Sequence, residues 1–245
     1  MVTATQSIRE IAAAHASAAV VFERFEIDLC SLADKSLDRV CAELQLSVDQ
    51  VLEKLSDAAA GERGAAPADL ADRSLGRLIQ HIVRTHHQYV RRELPGLVAM
   101  GHKLAKKRGE DAPELQQIAR ILDGLRADLF VHFQKEEGVL FPLITEMDQA
   151  DGAGGKGPRF CFGSVEQPVS RMIMEHESAE NLVAQIRELA HEFTPPDWAC
   201  PTHLAMYAGL REFADDLRQH VHLENDLLFP RAVTLEAELR GRRVR

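Results

Sequence analysis

Two stretches of the chain repeat one arrangement of residues that can bind metal ions. A histidine is followed four residues later by a glutamate and then by Leu-Phe-Pro, once from His132 to Pro142 and again from His220 to Pro230. The second histidine lies 88 residues after the first (220 − 132). Residues i and i+4 of an α-helix project from one face, so each pair can present an imidazole and a carboxylate to the same point. Both groups are ligands of transition-metal ions.

A second pair of histidines obeys the same repeat. His87 and His176 are 89 residues apart (176 − 87), and they precede His132 and His220 by 45 (132 − 87) and 44 residues (220 − 176). The repeat unit is therefore one helix that carries a histidine, followed by one that carries a histidine and a glutamate. We predict six metal ligands, namely His87, His132, Glu136, His176, His220 and Glu224.

The composition of this ligand set indicates iron. If both glutamates bridge, each of two ions has two imidazole nitrogens and two carboxylate oxygens, as in the di-iron sites of helical bundles. An octahedral ion then keeps about two positions, which suit an oxo or hydroxo bridge and an exogenous ligand. Two non-haem iron ions fit this set better than calcium or structural zinc. The spacing equally permits each glutamate to bind one ion.

The simplest alternative is that His-x-x-x-Glu forms an ordinary polar pair on a solvated helix face. Two copies, each with a second histidine at a matched distance, favour the metal site. His86 could exchange with His87 under an error of one residue, and His222 is expected to be exposed. We expect the Leu-Phe pairs to form apolar walls, and Pro142 and Pro230 to kink or end their helices.

The elements that position these residues are predicted to be helices throughout. Aromatic residues make up 5% of the chain, alternating β-branched runs are missing, and Leu, Ala, Glu and Arg recur at helical spacing. We predict an all-α protein with an up-down four-helix bundle. Its helices are expected at about 70–92, 114–141, 165–193 and 201–239. The predicted domains are a small helical N-terminal domain at 1–60 that contains Cys30, a linker at 61–69 and the bundle at 70–240.

Composition excludes several classes of function. The net charge of −9 over 245 residues argues against binding to nucleic acid or to an anionic membrane. No run of about eighteen apolar residues is present, so we expect no membrane span. Four cysteines without a C-x-x-C pair are typical of a reduced, cytoplasmic protein. An acidic chain of this kind is compatible with a homodimer, and nothing in the sequence requires one.

At the repeated residues the sequence resembles the RIC (repair of iron centres) family, which has a hemerythrin-like bundle. The resemblance covers most of the chain, and it lies in phrases such as RRELP at 91–95, HFQKEEGVLFP at 132–142, GSVEQPVSRMIMEHE at 163–177 and HLENDLLFPRA at 222–232. It implies a short N-terminal domain and a di-iron centre that repairs iron-sulfur clusters damaged by oxidative or nitrosative stress. The ligands that it implies are the same six residues.

The sequence departs from the family pattern at two places. Arg108 stands where the family usually has a further histidine ligand, and a guanidinium has no acceptor for a metal. One iron is therefore expected to have a more open or weaker site, or a substitute ligand such as His102 or Glu180. The family's two adjacent cysteines are replaced by Cys30 and Ser31, so a function that needs vicinal thiols is in doubt.

Three functions compete at this point. The first is a stress-response protein that supplies iron to damaged iron-sulfur proteins or otherwise repairs them. The second is a protein that binds or senses O2 or NO at the open iron positions, with reductive turnover of NO as its enzymatic form. The third is a degenerate bundle that has lost the metal and binds a partner.

Overall fold

The computed structural model describes residues 2–14, 16–29, 31–60, 73–155 and 164–244. In these ranges the regular structure is helical, apart from an isolated bridge between Ser7 and Ser36. The all-α prediction is confirmed. The α-helices are α1 Ile8–Ala14, α2 Ala16–Arg24, α3 Leu37–Glu43, α4 Val48–Ala60, α5 Leu75–Ile82, α6 Gln88–Arg108, α7 Pro113–Lys135, α8 Phe141–Gly152, α9 Glu166–Leu189, α10 Pro201–His222 and α11 Phe229–Val244.

The first long helix runs further than predicted. We expected it to end near Arg92, whereas α6 continues to Arg108 with Pro95 inside it. Leu94, Leu97 and Leu104 are buried, so the apolar stripe continues past the proline at helical spacing. Burial of this stripe outweighs the hydrogen bond that the proline cannot donate.

Within the described ranges, short π-helical segments interrupt the α-helices at three places: π1 Val83–His87, π2 Glu136–Leu140 and π3 Leu223–Leu228. After each segment a backbone N–H donates to the carbonyl five residues earlier, for example from Phe141 to Glu136 and from Phe229 to Glu224. Each π segment contains one of the six predicted ligands. Such wide turns occur most often at functional sites.

The two Leu-Phe-Pro phrases mark the ends of π segments and do not end the helices. Pro142 and Pro230 are the second residues of α8 and α11, which begin directly after π2 and π3. A proline is tolerated in the first turn of a helical segment, where its missing N–H is not required.

The chain forms two compact units, each assembled from separate stretches of sequence. The first comprises residues 1–64, 89–126 and 183–214, and the second comprises 65–88, 127–182 and 215–245. In the first unit the N-terminal part packs on α6, where Lys103 Nζ lies 3.2 Å from Asp28 Oδ1 and 3.5 Å from Glu23 Oε2. Cys30 and the predicted linker at 61–69 lie outside the described residues.

The second unit has its own hydrophobic core. It includes Leu78, Ile82 and Ile144, all of which are fully buried. Both Leu-Phe pairs, at 140–141 and 228–229, belong to this core. All six predicted ligands lie in the same unit. Across the described ranges, none of the helices has the length and apolar character that crossing a membrane would require.

Candidate metal centre

The structure brings the six predicted ligands together in one buried cluster. None of their side chains is more than 3% exposed. π1, π2 and π3 supply His87, Glu136 and Glu224, whereas α7, α9 and α10 supply His132, His176 and His220. His86, the alternative to His87, does not belong to the cluster. Its Nδ1 bonds to Asp216 instead.

The cluster consists of two groups of four residues that share both glutamates. Site A contains His87 and His220, and site B contains His132 and His176. In site A, His87 Nε2 lies 3.4 Å from Glu136 Oε2, and His220 Nε2 lies 3.0 Å from Glu224 Oε1. In site B, His132 Nε2 lies 3.2 Å from Glu136 Oε1, and His176 Nε2 lies 3.0 Å from Glu224 Oε2. Each carboxylate therefore turns one oxygen toward each site.

These distances match the edges of a coordination shell. Two ligands at right angles, each about 2.1 Å from an ion, are separated by about 3.0 Å. The two Nε2 atoms are 3.2 Å apart in site A, between His87 and His220, and 3.0 Å apart in site B, between His132 and His176. Two neutral imidazoles whose lone pairs lie this close together are stabilised most when a cation lies between them.

Unpaired buried oxygens also indicate that cations belong here. Both oxygens of Glu136 and the Oε2 of Glu224 are buried without a hydrogen bond. A buried carboxylate of this kind is costly unless a positive charge compensates it. Burial and the Glu224 charge raise the pKa of Glu136 to about 8. Burial opposes ionisation of His132, but the adjacent carboxylates, first Glu136 and then Glu224, outweigh it and raise its pKa to about 9. Without a cation the cluster thus retains protons that an ion would displace.

The opposite ring nitrogens of three ligands are held by residues that the sequence analysis did not single out. His87 Nδ1 lies 2.6 Å from Glu137 Oε1, and His176 Nδ1 lies 2.9 Å from Asn225 Oδ1. Glu137 and Asn225 each follow one of the two shared glutamates and are 88 residues apart (225 − 137), so the repeat itself carried the signal. Acceptors at Nδ1 fix the tautomer in which Nε2 is free to bind a metal.

The third supported ligand is His132. Its Nδ1 lies 3.1 Å from Glu175 Oε2, while Lys135 and Arg171 reach the other oxygen of that carboxylate at 2.7 and 2.8 Å. Partial burial would raise the pKa of Glu175, but its hydrogen bonds to Lys135, His132 and Arg171 prevail and lower the pKa to about 2. Glu175 is thereby kept ionised as a strong acceptor for His132.

His220 differs from the other three histidines. Its Nδ1 is buried and has no hydrogen-bond partner in the part of the chain that the structure describes. The ring stacks on His86, with centroids 5.7 Å apart and planes 8° apart. Burial lowers the pKa of His220 to about 4, so the imidazole is neutral.

Aromatic side chains form the expected walls of the cluster. Phe141 stacks on His87 with ring centroids 5.7 Å apart, and Phe229 stacks on His176 at 6.0 Å. These phenylalanines are 88 residues apart (229 − 141), so the walls follow the repeat as well. Phe133 adds a third ring, 4.1 Å from His87. The apolar walls keep water away and strengthen every charge interaction inside.

The expected substitute ligands, His102 and Glu180, have surroundings of their own. His102 forms an ion pair with Asp123 and is 55% exposed, and Glu180 lies on an exposed surface. Among the described residues, neither belongs to a group that could hold an ion. Arg108 approaches Asp111 at 3.9 Å and lies over the Trp198 ring. A substitute ligand at either residue stays a prediction, as does the more open site that was its alternative.

Two of the other histidines have clear environments. His222 is exposed as expected and bonds to Asp226 at 2.6 Å. His203 is buried, packs against Tyr207 and Trp198, and has no hydrogen bond at either ring nitrogen. Burial lowers the pKa of His203.

Comparison with known proteins agrees with this geometry. The family described as Hemerythrin HHE cation binding domain matches residues 78–232. The chain belongs to this family. The description names cation binding, and the buried histidines and glutamates described above fit such a site. A second family, described as a domain of unknown function (DUF542), matches residues 4–59.

Relatives of this HHE protein match it over nearly their whole length. The iron-sulfur cluster repair protein YtfE of Pectobacterium carotovorum is 34% identical over 231 residues, which cover 93% of this chain and 96% of the relative. YtfE of Enterobacter sp. strain 638 is 32% identical over 231 residues, with 94% and 98% covered. YtfE of Yersinia pestis strain Pestoides F is 32% identical over 228 residues, with 93% and 96% covered.

Proposed function

We propose that this protein holds two iron ions in sites A and B and uses them to repair damaged iron-sulfur clusters in the cytoplasm. One observation carries the proposal: two buried pairs of histidines share both glutamates, and each carboxylate directs one oxygen to each pair. Relatives with the name iron-sulfur cluster repair protein support the function. The count of two irons and an oxo or hydroxo bridge between them are part of this proposal.

The protein's own residues would perform three tasks. The four Nε2 atoms and the two carboxylates bind the ions, and the acceptors at Nδ1 orient three of the rings. Phe141 and Phe229 exclude water from the bound ions. Iron held in this way supplies redox-active metal, and it is also the cargo delivered to a cluster that has lost an iron. The damaged iron-sulfur protein is the partner.

We also propose that the chain is organised as an N-terminal domain at 1–60, a linker at 61–69 and a bundle at 70–240. The two family matches support this division, because one ends before the linker and the other begins after it.

The first test is the metal content of protein purified without chelator. We expect about two irons per chain, with marked loss in His132→Ala and His220→Ala. A matched control is His222→Ala, which removes an exposed histidine from the same helix as His220 and should leave the iron content unchanged. Protein that contains no iron and cannot be loaded with it would refute the proposal and favour a metal-free bundle.

The second test measures repair directly. A dehydratase whose [4Fe-4S] cluster has been oxidised to [3Fe-4S] is mixed with the iron-loaded protein and a reductant, and its activity is followed. Recovery should require the loaded protein and fail with the His132→Ala variant. Equal recovery with free ferrous iron at the same concentration would argue against a dedicated repair function.

A second candidate function is reversible binding of O2 or NO. It is favoured by the donor count, because four protein ligands leave about two positions on each octahedral ion. A rapid and reversible spectral change on exposure to gas would support it, and steady production of nitrous oxide would indicate turnover of NO. No response to either gas would exclude this function.

A further inference from the structure

The two halves of the cluster differ in how they support their histidines. In site B both ligands have an acceptor at Nδ1, because His132 donates to Glu175 and His176 donates to Asn225. In site A, His87 has one, from Glu137. Among the described residues, none accepts from the buried Nδ1 of His220.

The internal repeat identifies the residue that causes the difference. Glu175 directly precedes His176, and the residue that directly precedes His87 is His86. His86 bonds through Nδ1 to Asp216 at 2.8 Å and offers its ring face, with planes 8° apart, to His220. Stacking fixes the plane of the His220 ring, but it does not accept a proton from Nδ1. One exchange, histidine for glutamate, thus removes the acceptor from site A.

The missing acceptor matters when an ion binds. A metal ion needs the Nε2 lone pair, so a histidine that binds it carries its ring proton at Nδ1. In His220 this proton is buried with no acceptor among the described residues, which carries the full desolvation penalty of the group. Site A therefore binds its ion at a cost that site B does not have.

We propose that the two ions are held unequally and that the ion of site A leaves first, because His220 has no acceptor at Nδ1. The inference rests on the proposed di-iron function and names the labile ion within it. Loss of an acceptor behind a metal-binding histidine typically lowers affinity by about 10- to 100-fold. His86 and Glu175 are positioning residues, since each acts on a ligand and not on the metal.

The test extracts iron from fully loaded protein, in which both ions have already displaced the protons of the cluster. Ferrous iron is loaded without oxygen, and a coloured ferrous chelator is then added in steps. We expect one iron per chain to leave at a chelator concentration at least about 10-fold lower than the second. Release of both irons in a single step would overturn the inference while leaving the di-iron function intact.

Two reciprocal variants assign the steps to the sites. In His86→Gln the amide oxygen can accept from His220 and the amide nitrogen can donate to Asp216, so the first iron should become harder to extract. Tighter binding cannot result from damaged folding. In the matched variant Glu175→Ala, the second iron should leave earlier.

The possible outcomes separate the two ideas. An unchanged first step in His86→Gln, or an unchanged second step in Glu175→Ala, would refute control by the Nδ1 acceptors. Two-step extraction with no repair of a damaged cluster would leave the inference standing and remove the proposed function. Protein that takes up no iron would remove the proposed function itself.

Discussion

Replacing Glu136 with glutamine should stabilise the metal-free protein and destabilise the iron-bound protein. Burial and the charge of Glu224 raise the pKa of Glu136 from 4.5 to about 8. In the unfolded chain the carboxyl is ionised and solvated at pH 7, whereas in the folded metal-free chain it is mostly protonated. Folding must therefore take up a proton, and this lowers the free energy of unfolding.

The size of the effect follows from the two pKa values. At 1.36 kcal/mol per pH unit, the interval between 4.5 and 7 corresponds to about 3 kcal/mol. Glutamine has the shape of the protonated acid and needs no proton, so Glu136→Gln should recover at most that amount at pH 7, less the stabilisation that the Glu136 carboxylate gives to protonated His132. This gain in the free energy of unfolding should shrink as the pH falls toward 4.5, because the unfolded wild-type chain then takes up the proton as well.

The assay is urea unfolding of protein stripped of metal by a chelator and dialysed, at pH 7 and at pH 5. Exposed Glu177→Gln removes the same charge beside His176 and serves as the control. In the presence of iron the order should reverse, because the variant loses a bridging carboxylate. A metal-free Glu136→Gln protein that is less stable than wild type at pH 7 would refute the reasoning about the buried charge.

Three further predictions concern packing and pH. Gly96→Ala should lower the free energy of unfolding by about 1–3 kcal/mol in urea, because the added Cβ would lie 2.5 Å from Val20 Cγ1. Phe229→Ala should cost about 3–5 kcal/mol in the same assay and speed the release of iron to a chelator, because the ring is buried against His176. An unchanged stability in either variant would contradict the packing. Burial lowers the pKa of His203, so below about pH 6.5 the unfolded chain binds a proton that the folded chain does not. His203→Phe should therefore unfold with a weaker pH dependence between pH 7 and 5, and an equal slope would contradict this.

The six residues of the buried cluster could be predicted from the sequence because the repeat places them at fixed spacing. His87 and His176 can be identified solely by their sequence distance to the histidine of the next helix. The structure places both in the cluster. The repeat also relates two of the Nδ1 acceptors, Glu137 and Asn225, but the third, Glu175, could not be predicted in the same way, because its contact with His132 depends on which helices face each other. The end of the first long helix was also predicted too early, because a proline usually interrupts a helix and the apolar residues after Pro95 outweigh that tendency here.

The π segments could not be predicted, since a one-residue widening of a helical turn leaves little trace in hydrophobic periodicity. Their position next to Leu-Phe-Pro can be explained only from the structure. Phe141 and Phe229 each donate a backbone N–H to the carbonyl of a bridging glutamate. The same two phenylalanines stack on the ligands His87 and His176.

This double role limits how the centre could be transplanted into another protein. A designer who grafts the six ligands onto four straight α-helices would keep the spacing of His132 and Glu136 but lose the wide turn that begins at Glu136. Every residue beyond that turn would then be rotated by about 100° around the helix axis. The aromatic rings would point away from the histidines that they cover here. A working graft must therefore include the π segments and the prolines that follow them, together with the six metal-binding residues.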